Sequence, residues 1–154
     1  MTQFEATIAW ERGQQNFADN RYSRAHEWRF DGGLTVAGSS SPHSVPLPMS
    51  DPAAVDPEEA LVAAVSSCHM LFFLSIAAQQ GFVVDSYLDR AVGKLDKDTL
   101  GKMAMTQITL TPVIRFSGKR TPAPSELDAI HHAAHDKCYI ANSIKADVVI
   151  KGDC

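Results

Sequence analysis

Three cysteines carry the reactive chemistry available to this chain: Cys68, Cys138 and Cys154. Cys68 follows Ser66-Ser67 and precedes His69 in an uncharged, Ala-rich stretch. A free cysteine there serves either as a small buried apolar residue or, given a nearby positive group and some exposure, as a thiolate nucleophile. His69 is a poor base for it, because neighbours on a helix point about 100° apart. Cys138 sits in His-Asp-Lys-Cys-Tyr-Ile-Ala-Asn. His131, His135 and Cys138 are spaced by four and three, so a continuing helix puts them on one face as a three-ligand zinc set. Neither CxxC nor HExxH occurs, and a satisfied histidine cluster explains the same spacing. A third possibility joins Cys68 and Cys138: one thiolate attacks an oxidant to give a sulfenic acid, and the other condenses with it. That requires Cα atoms within about 7 Å. Cys154 is the last residue, where fraying is the default expectation.

The elements that must position these residues are readable in outline. Phe4, Ala6, Ile8 and Trp10 alternate at strand period. His26–Phe30 and Leu34–Ala37 flank Asp31-Gly32-Gly33, a hairpin signal. Residues 39–57 form a long connection with five of the eight prolines. Such a loop within a compact domain is usually functional or packed. Asp56-Pro57-Glu58-Glu59 opens a central helix, with Asp56 as N-cap and Glu59 at the capping-box position. Gly81 ends it. From Pro57 to Gln80 the helix would run about 36 Å, against about 38 Å for the whole domain. Being apolar nearly all round, it should be buried nearly all round, which one small subunit does not achieve and a dimer does.

Strands are expected over Val83–Leu95 and Ala104–Phe116, joined by a turn at Asp96–Lys102, with Pro112 marking an edge or bulge. Pro122 and Pro124 break the chain. Ser125 then caps a second helix whose Leu127, Ile130, His131 and Ala134 face one side, and Lys145–Ile150 is a last strand. The expected class is α+β.

Composition narrows the function. The 154 residues are 45% hydrophobic and 21% charged, an ordinary globular balance for one domain spanning 1–154. A formal charge of −4 argues against nucleic-acid binding. The N-terminus lacks a signal-peptide pattern, so a cytoplasmic location and free thiols are expected. Ala60–Ala78 is uncharged, but its Ala content and Ser66, Ser67, Cys68, His69 and Ser75 argue against a membrane span.

The segments DPEEALVAAVSSCHM (Asp56–Met70) and HDKCYIANSI (His135–Ile144), with the YSRAHEWRFDGG hairpin (Tyr22–Gly33), strongly resemble the OsmC/Ohr family of thiol peroxidases. The resemblance covers essentially the whole chain. It implies an OsmC-like fold of curved antiparallel sheets around a long buried central helix, assembled as an intertwined homodimer. It further implies reduction of organic hydroperoxides to alcohols, protecting against oxidative stress, with an external thiol or dithiol as reductant and no cofactor or metal. On that pattern Cys68 is the peroxidatic thiol and Cys138 the resolving thiol. Glu58 holds the site arginine, for which Arg24 is the best match, with Arg21 and Arg29 in the same region. The stretch SSSPHSVPLPMSDPAAVD and Cys68-His69-Met70 resemble the broad OsmC-like branch more than the Ohr branch. Two other functions stand beside this one: a metal-binding protein using His131, His135 and Cys138, and a non-catalytic, stress-related dimer that holds an apolar ligand.

Overall fold

The structure, a computed structural model, describes residues 1–151. The chain folds as two compact units that meet in sequence at Ala60/Leu61.

The first unit holds a three-stranded antiparallel sheet: β1 (Ala6–Ala9), β2 (His26–Phe30) and β3 (Thr35–Gly38), in that order. The β2–β3 turn is the Asp31-Gly32-Gly33 hairpin read from sequence. Gly33 takes φ +88°, a conformation open to glycine at little cost. The Phe30 N–H then donates to the Leu34 carbonyl at 2.9 Å. The connection over 39–56 is tied to the sheet: the Val55 N–H donates to the Ala37 carbonyl and the Ser39 N–H to that of Val55.

Helix α1 (Pro57–Gln79) begins at the end of this unit and continues into the second. Its start is the expected reciprocal box: the Glu59 N–H donates to Asp56 Oδ1 at 2.8 Å, and the Asp56 N–H to Glu59 Oε1 at 3.0 Å. At its end Gly81 adopts φ +80°, and the Phe82 N–H turns back to the Ala77 carbonyl, a glycine-stopped helix terminus.

The second unit adds β4 (Val83–Asp89), β5 (Val92–Lys97), β6 (Met103–Leu110), β7 (Pro112–Ser117), α2 (Pro124–Lys137), a 3₁₀ turn at Ala141–Ser143 and β8 (Asp147–Ile150). The two long strands expected here are four. β4 pairs with β7, while β5 pairs with β6, and β8 joins β6 in parallel. At the break Pro112 donates no ladder bond, and the Asp89 carboxylate, 22 residues away in sequence, captures the Thr111 N–H at 2.6 Å. A second correction concerns α2. Ser125 lies inside the helix; Ala123 stands at the N-cap position, and the Glu126 carboxylate accepts its N–H at 2.9 Å.

Two clusters make the core of the second unit. In one, Phe73, Ile76 and Ala77 of α1 pack with Phe82 and with Ile130 and Ala134 of α2. In the other, Val65 of α1 meets Ile108 and Leu110 of β6. Within one chain the helix buries only the stripe Val65, His69, Phe73, Ile76 and Ala77, and Leu71 is 62% exposed. By length and composition alone α1 is long and apolar enough to cross a membrane.

Candidate active site

Cys68 lies in the middle of α1 and is partly exposed; Cys138 follows the last residue of α2 and is fully buried. The structure brings these two free thiols face to face. Burial pushes the Cys138 thiol up, since a thiolate is poorly solvated there, and the Cys68 thiol adds to this. The chain opposes it in part through backbone amides of the following turn, with the Ala141 N–H directed at Cys138 Sγ at 3.4 Å. The result is an asymmetric pair, Cys68 half-buried and Cys138 fully buried with its thiol biased toward the neutral form.

Beside the cysteines lies a feature that the sequence reading missed. His69 of α1 and His131 of α2 are buried, with exposures of 1% and 5%. Their rings are nearly parallel at 9°, and His69 Nε2 shares a hydrogen bond with His131 Nδ1 at 3.0 Å. The outer nitrogens, His69 Nδ1 and His131 Nε2, are buried without a partner. Burial, then the charges of His131 and His135, push His69 down to about 4. His131 moves the same way, again mainly through burial. The signal was present in the spacing: His69 falls four residues from both Val65 and Phe73, on the stripe that packs inward.

This pairing also bears on the zinc reading. His131 turns its Nδ1 to His69, while Cys138 faces Cys68. Among the described residues no group of three or more His, Cys, Asp or Glu side chains is placed to hold a metal ion, so His131, His135 and Cys138 form no such set.

Arg24 and Glu58 are found together in the first unit, where they line one cavity of about 530 Å³ with Ile8, Trp10, Phe17 and Tyr22. Of the three arginines considered, Arg24 is the one in this lining. Arg29 is paired with Glu27 on the surface at 2.6 Å, and Arg21 is exposed. The Arg24 guanidinium stacks 3.8 Å from the Tyr22 ring centre. It donates to the Asn20 side chain at 2.8 Å and to the carbonyls of Asn20 and Tyr22. Glu58, in the first turn of α1, keeps its Oε2 buried with no partner. Arg24 and Glu58 therefore share a cavity without forming an ion pair. Cys154 lies outside the described residues.

The sequence matches the family model described as OsmC-like protein over residues 50–152. The fold is similar to a solved structure of an OsmC-like protein of unknown function from Vibrio cholerae. The two share 51% identity over 99% of this chain and 100% of that one, with a TM-score of 0.98. An OsmC-like protein from Mycoplasma pneumoniae aligns at TM-score 0.72 and 13% identity, over 99% of this chain and 96% of that one. The organic hydroperoxide resistance protein OhrB of Bacillus subtilis aligns at 0.64 and 16%, over 99% and 98%. At those identities the likeness is one of fold. Among curated proteins, none matches the sequence.

Proposed function

The chain belongs to the OsmC-like protein family, and we propose that it acts as a thiol-dependent peroxidase that reduces organic hydroperoxides to alcohols and so protects against oxidative stress. The observation that carries this reading is the meeting of a partly exposed Cys68 with a buried, protonated Cys138. The less buried cysteine, Cys68, is the one a peroxide reaches. The Cys68 thiolate attacks the terminal peroxide oxygen, the O–O bond breaks, and the departing alkoxide takes a proton to become the alcohol. Cys68 is left as a sulfenic acid. Cys138 attacks that sulfur; an S–S bond forms, and the sulfenic oxygen leaves as water with the Cys138 proton. Two electrons from an external thiol or dithiol then restore both cysteines.

Arg24 and Glu58 enter as the groups that favour the thiolate and orient the peroxide. A guanidinium beside a cysteine lowers the cost of its negative charge, and a carboxylate holds a guanidinium in a fixed fork. For Glu58 to hold Arg24, the guanidinium must leave Asn20 and Tyr22 and turn to the unpartnered Oε2. Ten residues of unbroken helix rise about 15 Å, so the Glu58 of one copy serves the Cys68 of another in a homodimer. The exposed apolar faces of α1 support that assembly, and a single OsmC-like domain per chain, located in the cytoplasm, completes the reading.

The test is consumption of an organic hydroperoxide with a dithiol present. Wild type should turn over, and Cys68→Ser should fall to the uncatalysed background. Full activity in Cys68→Ser would end the proposal.

A further inference from the structure

Two turns of α2 separate His131 from Cys138, a rise of about 10.5 Å, and seven residues bring a helix back to nearly the same face. Cys138 stays on that course, because its N–H still donates to the His135 carbonyl at 3.1 Å. On α1 the matching residues, Cys68 and His69, are neighbours. The two helices are thus joined at two points, thiol to thiol and ring to ring. The ring contact is the one that fixes position. The His131 ring lies 5.3 Å from His69 and 4.6 Å from Phe73 between centres, and His69 and Phe73 are one turn apart on the buried stripe of α1. A rigid α2 seated in that notch cannot slide or roll without carrying Cys138 with it.

An apolar pair would fill the same space. The histidines instead leave His69 Nδ1 and His131 Nε2 buried without a partner, which lowers stability, whereas replacing both partners of a buried hydrogen bond by apolar groups of like shape is nearly neutral or stabilising. What the 3.0 Å hydrogen bond adds is direction, since apolar contact is non-directional and tolerates a slip. One step of the proposed cycle needs that direction. Peroxide attack uses Cys68 alone, but a disulfide closes only with Cα atoms within about 7 Å and the sulfurs in a narrow torsional range.

We infer that the hydrogen bond between His69 and His131 is a positioning device for the resolving step, holding α2 so that Cys138 Sγ meets the sulfenic sulfur of Cys68. This rests on the peroxidase reading and leaves its chemistry unchanged: the S–S bond forms as the S–O bond breaks, and the oxygen leaves as water with the Cys138 proton. Both histidines act through the helices that carry the thiols.

The experiment follows one turnover with one equivalent of cumene hydroperoxide, reading peroxide consumption and disulfide closure separately, with dimedone to trap the sulfenic acid. It compares wild type, His131→Asn, His131→Leu and His69→Leu/His131→Leu. Asparagine keeps a hydrogen-bonding atom near the place of Nδ1; leucine keeps the bulk and loses the bond. The leucine variants should consume peroxide at the wild-type rate but close the disulfide roughly tenfold to a hundredfold more slowly, as for a misplacement of about 1 Å, with a larger dimedone adduct. His131→Asn should close at close to the wild-type rate, and the double variant should melt no lower than wild type. An unchanged closing rate in the leucine variants would overturn the assignment, as would equal slowing of both steps, or asparagine as slow as leucine. Should the double variant fail to fold, His131→Leu against His131→Asn carries the comparison. Diamide, which oxidises the two thiols to a disulfide and is itself reduced to the hydrazine, separates this inference from the peroxidase reading. Slow closure of the leucine variants with diamide, in a protein inert to hydroperoxide, would sink the peroxidase and keep the positioning role. Hydroperoxide turnover with closure indifferent to the histidines would do the reverse.

Discussion

Titrating the protein from neutral pH toward pH 4 loads a proton onto His69 in the unfolded chain well before the folded one. In the fold His69 is 1% exposed, packed against His131 and without a partner for Nδ1, and it titrates at about 4 against the ordinary 6.5. A histidine with a lowered folded pKa contributes stability that is complete above the unfolded pKa and is lost as pH falls toward the folded one. The window therefore runs from about 6.5 down to about 4. A difference of about 2.5 units, at about 1.4 kcal/mol each, amounts to roughly 3 kcal/mol at the lower end. That is a large part of the 5–15 kcal/mol typical of a domain. Urea unfolding followed by circular dichroism at several pH values, for wild type and His69→Gln, reads it directly. The carboxylates titrate alike in both proteins, so the difference between the curves isolates the imidazole. Wild type should lose about 3 kcal/mol more than the variant across the window. Parallel curves would refute the reasoning.

Two packing predictions follow from the second unit. A Cβ on Gly93 would lie 2.6 Å from both Val62 Cγ2 and Met105 Sδ. Met105 is able to yield, but the branched Val62 is stiff, so Gly93→Ala should cost about 1–3 kcal/mol and lower Tm by several degrees in a thermal melt; an unchanged Tm would contradict this contact. Ser66 donates its hydroxyl to Asp89 Oδ2, and the other oxygen of Asp89 holds the Thr111 N–H. Ser66→Ala should therefore cost about 1.5–3 kcal/mol in chemical denaturation, whereas a loss below about 0.5 kcal/mol would mean that water replaces the hydroxyl freely.

Local chemistry was legible where a few adjacent residues decide the outcome. Asp56 and Glu59 announce their capping box, Asp31-Gly32-Gly33 its hairpin, and Gly81 the end of α1, because each acts over three or four residues. Features decided by distant partners were not. The division of two expected strands into four depends on Asp89 reaching Thr111 across 22 residues. The histidine pair joins positions 62 apart, and only the inward spacing of His69 hinted at it. Ser125 was a reasonable cap by residue type, but the cap falls two residues earlier, at Ala123, with Pro124 starting the helix and Glu126 reaching back to Ala123. For the site, the segments around Cys68 and Cys138 pointed to paired thiols through family resemblance, and the fold brings them face to face. Hairpin register left Arg24 open against Arg21 and Arg29; of the three, Arg24 lines a cavity together with Glu58.

The central claim is that Cys68 takes the oxidising equivalent and Cys138 resolves it. Intact-mass analysis with thiol labelling, after one equivalent of an organic hydroperoxide, tests it on wild type and Cys138→Ser. The account predicts that wild type loses two labelled thiols as a Cys68–Cys138 bridge, while the variant stops at a Cys68 oxyacid. Both cysteines remaining reduced and labelable would contradict it.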